Sequence, residues 1–135
     1  MTPGGDTSTG ADHYERVVEA ASQLDPRVQS VTYPTVYGGS KRGILFRVGG
    51  ERILVVPKWQ AVGGTVDEKF PFVLESVAVA GFDRVFIVAG GGGAGGGAMR
   101  WLHQAAARYP HVSVLDSAED FRGAIQRYQA YGDWS

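Results

Sequence analysis

The order of apolar runs and turn signals in this 135-residue chain predicts an α/β fold: a mixed central β-sheet flanked by helices, in the order αβββαβαβα. Three observations carry that prediction. The run Ile53-Leu54-Val55-Val56 is short, rich in β-branched residues and bounded by Gly49-Gly50 and Gly63-Gly64, the pattern of a strand buried on both faces. A second apolar run, Gly43 to Val48, precedes it across Val48-Gly49-Gly50-Glu51, a tight hairpin signal. Helical and strand segments then alternate to the C-terminus, which implies crossover connections. A hairpin followed by crossovers gives strands of both directions.

In chain order, Asp12 to Leu24 carries Val17, Val18, Ala20, Ala21 and Leu24 on one side and Glu15, Arg16 and Glu19 on the other, an amphipathic helix. Val28 to Val36 alternates as a strand, and Pro34, which has no N–H for a ladder, assigns it to an edge or a bend. Gly43–Val48 and Arg52–Val56 are the hairpin strands. Thr65 caps a helix over Val66–Ala80; Glu68, three residues on, completes a capping box, and Asp67 adds negative charge at the positive helix end. Arg84–Ala89 is a strand, Ala98–Arg108 a helix, His111–Leu115 a strand and Ala118–Tyr128 the last helix. Residues 1–10, rich in Gly, Thr and Pro, are expected to be a flexible N-terminal tail, 11–128 a single domain and 129–135 an aromatic C-terminal tail. This length, with 44% hydrophobic residues, suits one core and not two.

Composition narrows the function. A net charge of −1 argues against binding nucleic acid by bulk electrostatics alone. Lys41, Arg42, Arg47, Arg52 and Lys58 nevertheless gather on the hairpin and its neighbour, either as a DNA-facing patch or as an ordinary mixed-charge surface. With no cysteine there is neither disulfide nor thiolate-bound zinc, and His13, His103 and His111 are too scattered to suggest a metal site. No apolar stretch has the length of a membrane span, so a cytoplasmic protein without membrane contact is expected.

Strand, turn and capped helix account for every residue from Ile53 to Phe72 except Lys58 and Gln60, which sit where an open α/β sheet presents functional groups. The string Lys58-Trp59-Gln60, Gly64-Thr65, Asp67-Glu68-Lys69 and Pro71 resembles the core of a branch of the PD-(D/E)XK nucleases, the restriction-endonuclease-like superfamily. Arg84 to Val88 is similar to that branch's next core strand, and Gly97-Ala98 with Trp101-Leu102 to its following loop and helix. The resemblance covers roughly Gly39 to Phe121. It implies a restriction-endonuclease-like fold and magnesium-dependent phosphodiester hydrolysis, with Lys58 stabilising charge on the pentavalent transition state and Gln60 positioning metal or water.

In such nucleases one acid on a strand and another two positions before the lysine hold the divalent ions. Here Val56 stands in the second place, Pro57 follows it, and Leu45 falls nearest the first; no Asp or Glu lies between Ser30 and Gly50. Glu51 sits in the hairpin turn. Two readings follow. The metal site has eroded, leaving a catalytically inactive DNA-binding or regulatory module whose contacts are Lys41, Arg42, Lys58 and Lys69. Alternatively, the site has migrated, Glu68 or the helical pair Glu15 and Glu19 supplies the carboxylate, and the chain is an active endonuclease with Lys58, Gln60 and Glu68 as its catalytic set.

Two other classes of function remain. Gly90, Gly92 and Gly95 satisfy G-x-G-x-x-G between a strand and a helix, and Asp116 ends the next strand where a ribose-binding acid lies in dinucleotide folds; no Lys-Ser/Thr follows, so this is not a P-loop. Among the aromatic residues, Tyr128, Tyr131 and Trp134 form a terminal group suited to a homodimer or protein-partner contact, or to packing back on their own domain.

Overall fold

The computed structural model describes residues 10–59, 70–91 and 97–134. Of the tail expected over 1–10, residues 1–9 lie outside them and Gly10 opens the first helix; the Thr65 cap and Gly92 to Gly96 also lie outside. The elements run α1 (Gly10–Ser22), β1 (Gln29–Pro34), β2 (Ser40–Val48), β3 (Glu51–Trp59), α2 (Phe70–Ala78), β4 (Arg84–Gly90), α3 (Gly97–Ala106), β5 (Val112–Leu115) and α4 (Ala118–Tyr131). This is the αβββαβαβα order.

The five strands form one sheet in the order β1-β2-β3-β4-β5. β1, β2 and β3 are antiparallel neighbours, whereas β3, β4 and β5 are parallel. The β2–β3 hairpin closes with Val48 opposite Glu51. Gly49 and Gly50 both have positive φ, 61° and 84°, as a two-residue turn matched to strand twist requires. Pro34 ends the edge strand β1.

β3 is central and buried on both faces: Ile53, Leu54 and Val55 are fully covered and Val56 almost so. Its alternating side chains feed two cores. Leu54 and Val56 pack with Val73, Leu74 and Val77 of α2 and Leu102 of α3. Ile53 and Val55 pack with Val17 and Ala21 of α1 and Phe121 and Ile125 of α4. Two successive crossovers in one direction carry α2 and α3 to one face, so α1 and α4 cover the other. Each side chain of this size contributes about 1.5–3 kcal/mol when fully buried.

α4 is capped at both ends. Ser117 Oγ accepts from the Asp120 N–H at 3.0 Å. Gly132, at φ 79°, donates its N–H to the Tyr128 carbonyl at 2.8 Å. The chain then folds back: the Trp134 ring lies 4.3 Å from Tyr128 and 5.1 Å from Phe86, on the α1–α4 core, while Tyr131 remains exposed. No helix among the described residues is long and apolar enough to cross a membrane.

One histidine seals the sheet's end on this face. The buried His13 of α1 donates from Nε2 to the Val88 carbonyl at 2.9 Å and lies 5.7 Å from the Trp59 ring. Its ring occupies the volume a side chain at Gly90 would need, because a Cβ there would stand 2.5 Å from Nδ1 and 2.6 Å from Cε1. Gly90 has no positive φ, so contact and not backbone conformation demands glycine. Gly90→Ala is expected to destabilise the fold by about 1–3 kcal/mol through overpacking. Adding His13→Ala should recover part of that loss, and denaturant unfolding of the singles and the double reads the coupling. Strictly additive losses would contradict the contact.

Candidate nucleic-acid interface

Lys58 is the next-to-last residue of β3 and lies on the α2 face, two positions beyond Val56. It opens into a cavity of about 330 Å³. Val56, Pro57 and Lys58 form one side, Tyr33 of β1 with Lys41 and Arg42 of β2 another, and Phe72 and Val73 of α2 a third. Tyr37 completes the rim from the β1–β2 turn.

That turn is held firmly. Thr35 donates its N–H to the Gly39 carbonyl at 3.2 Å, Gly38 donates to the Thr35 carbonyl at 3.1 Å, and the Thr35 hydroxyl donates to the Gly38 carbonyl. Gly38 and Gly39 take φ of 91° and 76°, where a side chain would be strained. Val36 donates its N–H to Oγ of the fully buried Ser76 on α2 at 3.1 Å, tying turn to helix. Tyr37 stacks on Phe72 with centroids 5.1 Å apart and planes 10° from parallel, yet is 85% exposed.

The described residues that line the cavity include Lys41, Arg42 and Lys58 and no carboxylate. Strand alternation puts the Lys41 side chain on the face of Tyr33 and Lys58, and that of Arg42 on the face of Ile44 and Phe46. Tyr33 is 2% exposed, and among the described residues its hydroxyl has no hydrogen-bond partner. Burial pushes its phenol from 10.0 up to about 12, so it stays protonated at neutral pH.

The positions beside Lys58 on β3 and β2 carry no acid among the described residues. Val56 is on the cavity wall. The register pairs Ile44 with Val55, and one further step along both strands sets Gly43 beside Val56. Leu45, expected nearest the first acid's place, instead lies opposite Leu54, buried and farther from Lys58. At Gly43 a Cβ would meet Leu54 Cδ1 at 2.7 Å and the Val55 carbonyl at 3.2 Å, so a side chain there requires neighbours to shift.

The hairpin's five cations divide. Lys41, Arg42 and Lys58 line the cavity, whereas Arg47 and Arg52 pair at the turn end. Arg42 and Arg47 are five residues apart on β2, about 17 Å at roughly 3.3 Å per residue. The Arg52 guanidinium sits over Phe82 at 4.8 Å. Glu15 and Glu19 are exposed on α1, across the sheet from Lys58, and cannot share a metal with it. Glu19 faces a second cavity of about 300 Å³ between α1 and α4, where Arg16, Glu119 and Arg122 balance its charge. Gln60, Glu68 and Lys69 lie outside the described residues, as do Gly92 and Gly95. Of the glycine motif, Gly90 is covered by His13, and Asp116 Oδ1 lies 2.7 Å from His103 Nε2. No group of three or more His, Asp or Glu able to hold a metal occurs among the described residues.

Sequence reasoning missed Tyr33, Tyr37, Phe72 and Ser76. Only Tyr37-Gly38-Gly39 carried a local signal, that of a turn. Tyr33 gives the site a measurable signature. Its folded pKa is raised, so stability is full below the unfolded pKa and is lost as pH rises through the folded one. Between pH 10 and about 12 the fold should lose about 1–2 kcal/mol after allowance for solvent screening at the cavity-lining phenol, a loss absent from Tyr33→Phe; denaturant unfolding across that range, with ultraviolet titration of phenolate, measures it.

The family model that describes the PD-(D/E)XK nuclease superfamily domain matches residues 34–122, from the end of β1 into α4. No curated protein and no solved structure matches the chain. The matched span includes β2, β3, α2 and β4, the elements that carry Val56, Lys58 and the cavity walls, and covers well over half the chain. The mixed sheet with Lys58 at the end of its central strand is therefore the core of that fold, and the chain belongs to the PD-(D/E)XK nuclease superfamily.

Proposed function

We propose that this domain binds nucleic acid at the Lys58 cavity through the phosphate backbone and does not cleave it by a metal-dependent route. The observation that carries this reading is the lining itself: Lys41, Arg42 and Lys58, with Val56 where the superfamily places an acid and no carboxylate among the described lining residues. Nucleases of this superfamily usually use magnesium. Magnesium requires near-octahedral oxygen coordination and is held through one or two carboxylates. The described lining residues supply no carboxylate and so do not fit that ion.

The same arrangement suits an anion. A phosphate brought to the cavity meets Lys41 and Lys58 from adjacent strands, and charge-assisted hydrogen bonds of this kind are among the stronger polar contacts. Partial enclosure by Pro57, Phe72 and Val73 reduces solvent screening there. Because the chain as a whole carries a net charge of −1, affinity rests on this local group.

Fluorescence anisotropy with labelled DNA in EDTA tests the reading. Binding should weaken linearly in log salt, and Lys41→Ala, Arg42→Ala and Lys58→Ala should each reduce the slope by about one. Incubation of DNA with the protein in magnesium or manganese should leave the strands intact. Metal-dependent cleavage that disappears in Glu68→Ala would overturn the proposal in favour of a relocated ligand.

A further inference from the structure

We infer that the cavity receives one unpaired nucleotide, its base stacked on the outer face of Tyr37 and its phosphate held by Lys41. The inference rests on the nucleic-acid reading of the same site and adds what kind of strand it takes.

Three features carry it. A cavity of about 330 Å³ is at the small end of the range for single small ligands and admits no double helix, which can only lie across its mouth. Tyr37 is a platform already built: it is 85% exposed, lies flat on Phe72 and stands on a turn fixed to α2 through the buried Ser76. Exposed aromatic rings beside cations are how unpaired bases are held, since every base has a face to stack while a paired base has its faces covered. Finally, Tyr33 lines the cavity with 2% exposure and has no hydrogen-bond partner among the described residues. The phenol is protonated at neutral pH, and its hydroxyl can donate to a phosphate or base oxygen.

The pieces are ordered before the strand arrives. The Thr35–Gly39 turn is closed by two backbone hydrogen bonds, and Lys41 follows it on β2. The stacking face and the phosphate contact thus sit a few residues apart on one rigid segment, as base and phosphate are a few bonds apart in a nucleotide.

The test compares an end-labelled oligothymidylate, an oligouridylate and a blunt duplex of equal length, by anisotropy in EDTA. The single strands should bind several-fold more tightly than the duplex, and the better of the two identifies DNA or RNA as the source. Tyr37→Ala should weaken single-strand binding by roughly fivefold or more, the size of one base–aromatic stack, and leave duplex binding unchanged. Tyr33→Phe keeps the ring and should weaken single-strand binding by about two- to tenfold, the range of one hydrogen bond, without lowering the melting temperature. If the duplex binds as tightly as the single strands and Tyr37→Ala changes nothing, while Lys41→Ala and Arg42→Ala weaken all probes, the unpaired-nucleotide inference falls and backbone binding stands. If none of the three probes binds at low salt, both fall together.

Discussion

The burial of β3 on both faces is the constraint on which the rest of the molecule depends. Four consecutive apolar residues, Ile53 to Val56, send alternate side chains into two separate cores, and the strand has hydrogen-bonded neighbours on both sides. Such a strand cannot slip by one residue without exchanging its two faces. Its end is therefore placed as firmly as its middle. Pro57, Lys58 and Trp59 continue the alternation, so Lys58 goes to the α2 face and Trp59 to the α1 face beside His13. The functional lysine and the seal around Gly90 are consequences of one register.

The same alternation explains which parts of the fold were legible in the sequence. The buried run, the Gly49-Gly50 hairpin and the later crossovers are local or periodic patterns, and they gave the architecture and its element order directly. Element ends were less visible. β2 begins at Ser40, three residues before the expected start at Gly43, because the polar stretch Ser40-Lys41-Arg42 pairs with the exposed edge strand β1 and needs no apolar pattern to do so. α4 runs to Tyr131 rather than Tyr128, since the cap is supplied by Gly132 and not by a change in composition.

The candidate site was legible only where it lies on β3. Lys58 follows from strand order, and Lys41 and Arg42 from their position on the hairpin. Tyr33, Tyr37 and Phe72 belong to three segments separated in sequence, and what joins them is that β1 lies beside β2 while α2 covers that face of the sheet. Ser76 is the clearest case. A serine on a helix next to apolar residues has no distinctive sequence context, yet its buried hydroxyl accepts the Val36 N–H and fixes the turn that carries Tyr37. The separation of Arg47 and Arg52 from the cavity was invisible for a related reason. Closeness in sequence groups all five cations, but an extended strand places residues five apart at opposite ends of a hairpin.

In the proposed reading, apolar and small residues stand where the superfamily's acids would be, which changes what Lys58 experiences. In the nuclease arrangement implied by the superfamily, carboxylates and metal ions share the strand end with the lysine, and charges of both signs offset one another. Here Val56 and Gly43 supply no carboxylate, and Lys41 shares the face of Lys58. Partial enclosure strengthens a polar contact made there, because screening by water and salt is weaker than on open surface. On the proposed reading, such a site takes up a phosphate without having to assemble metal ligands. In that reading Lys58 holds a phosphodiester instead of breaking it, and Tyr37 would decide whether that phosphodiester belongs to a paired or an unpaired base.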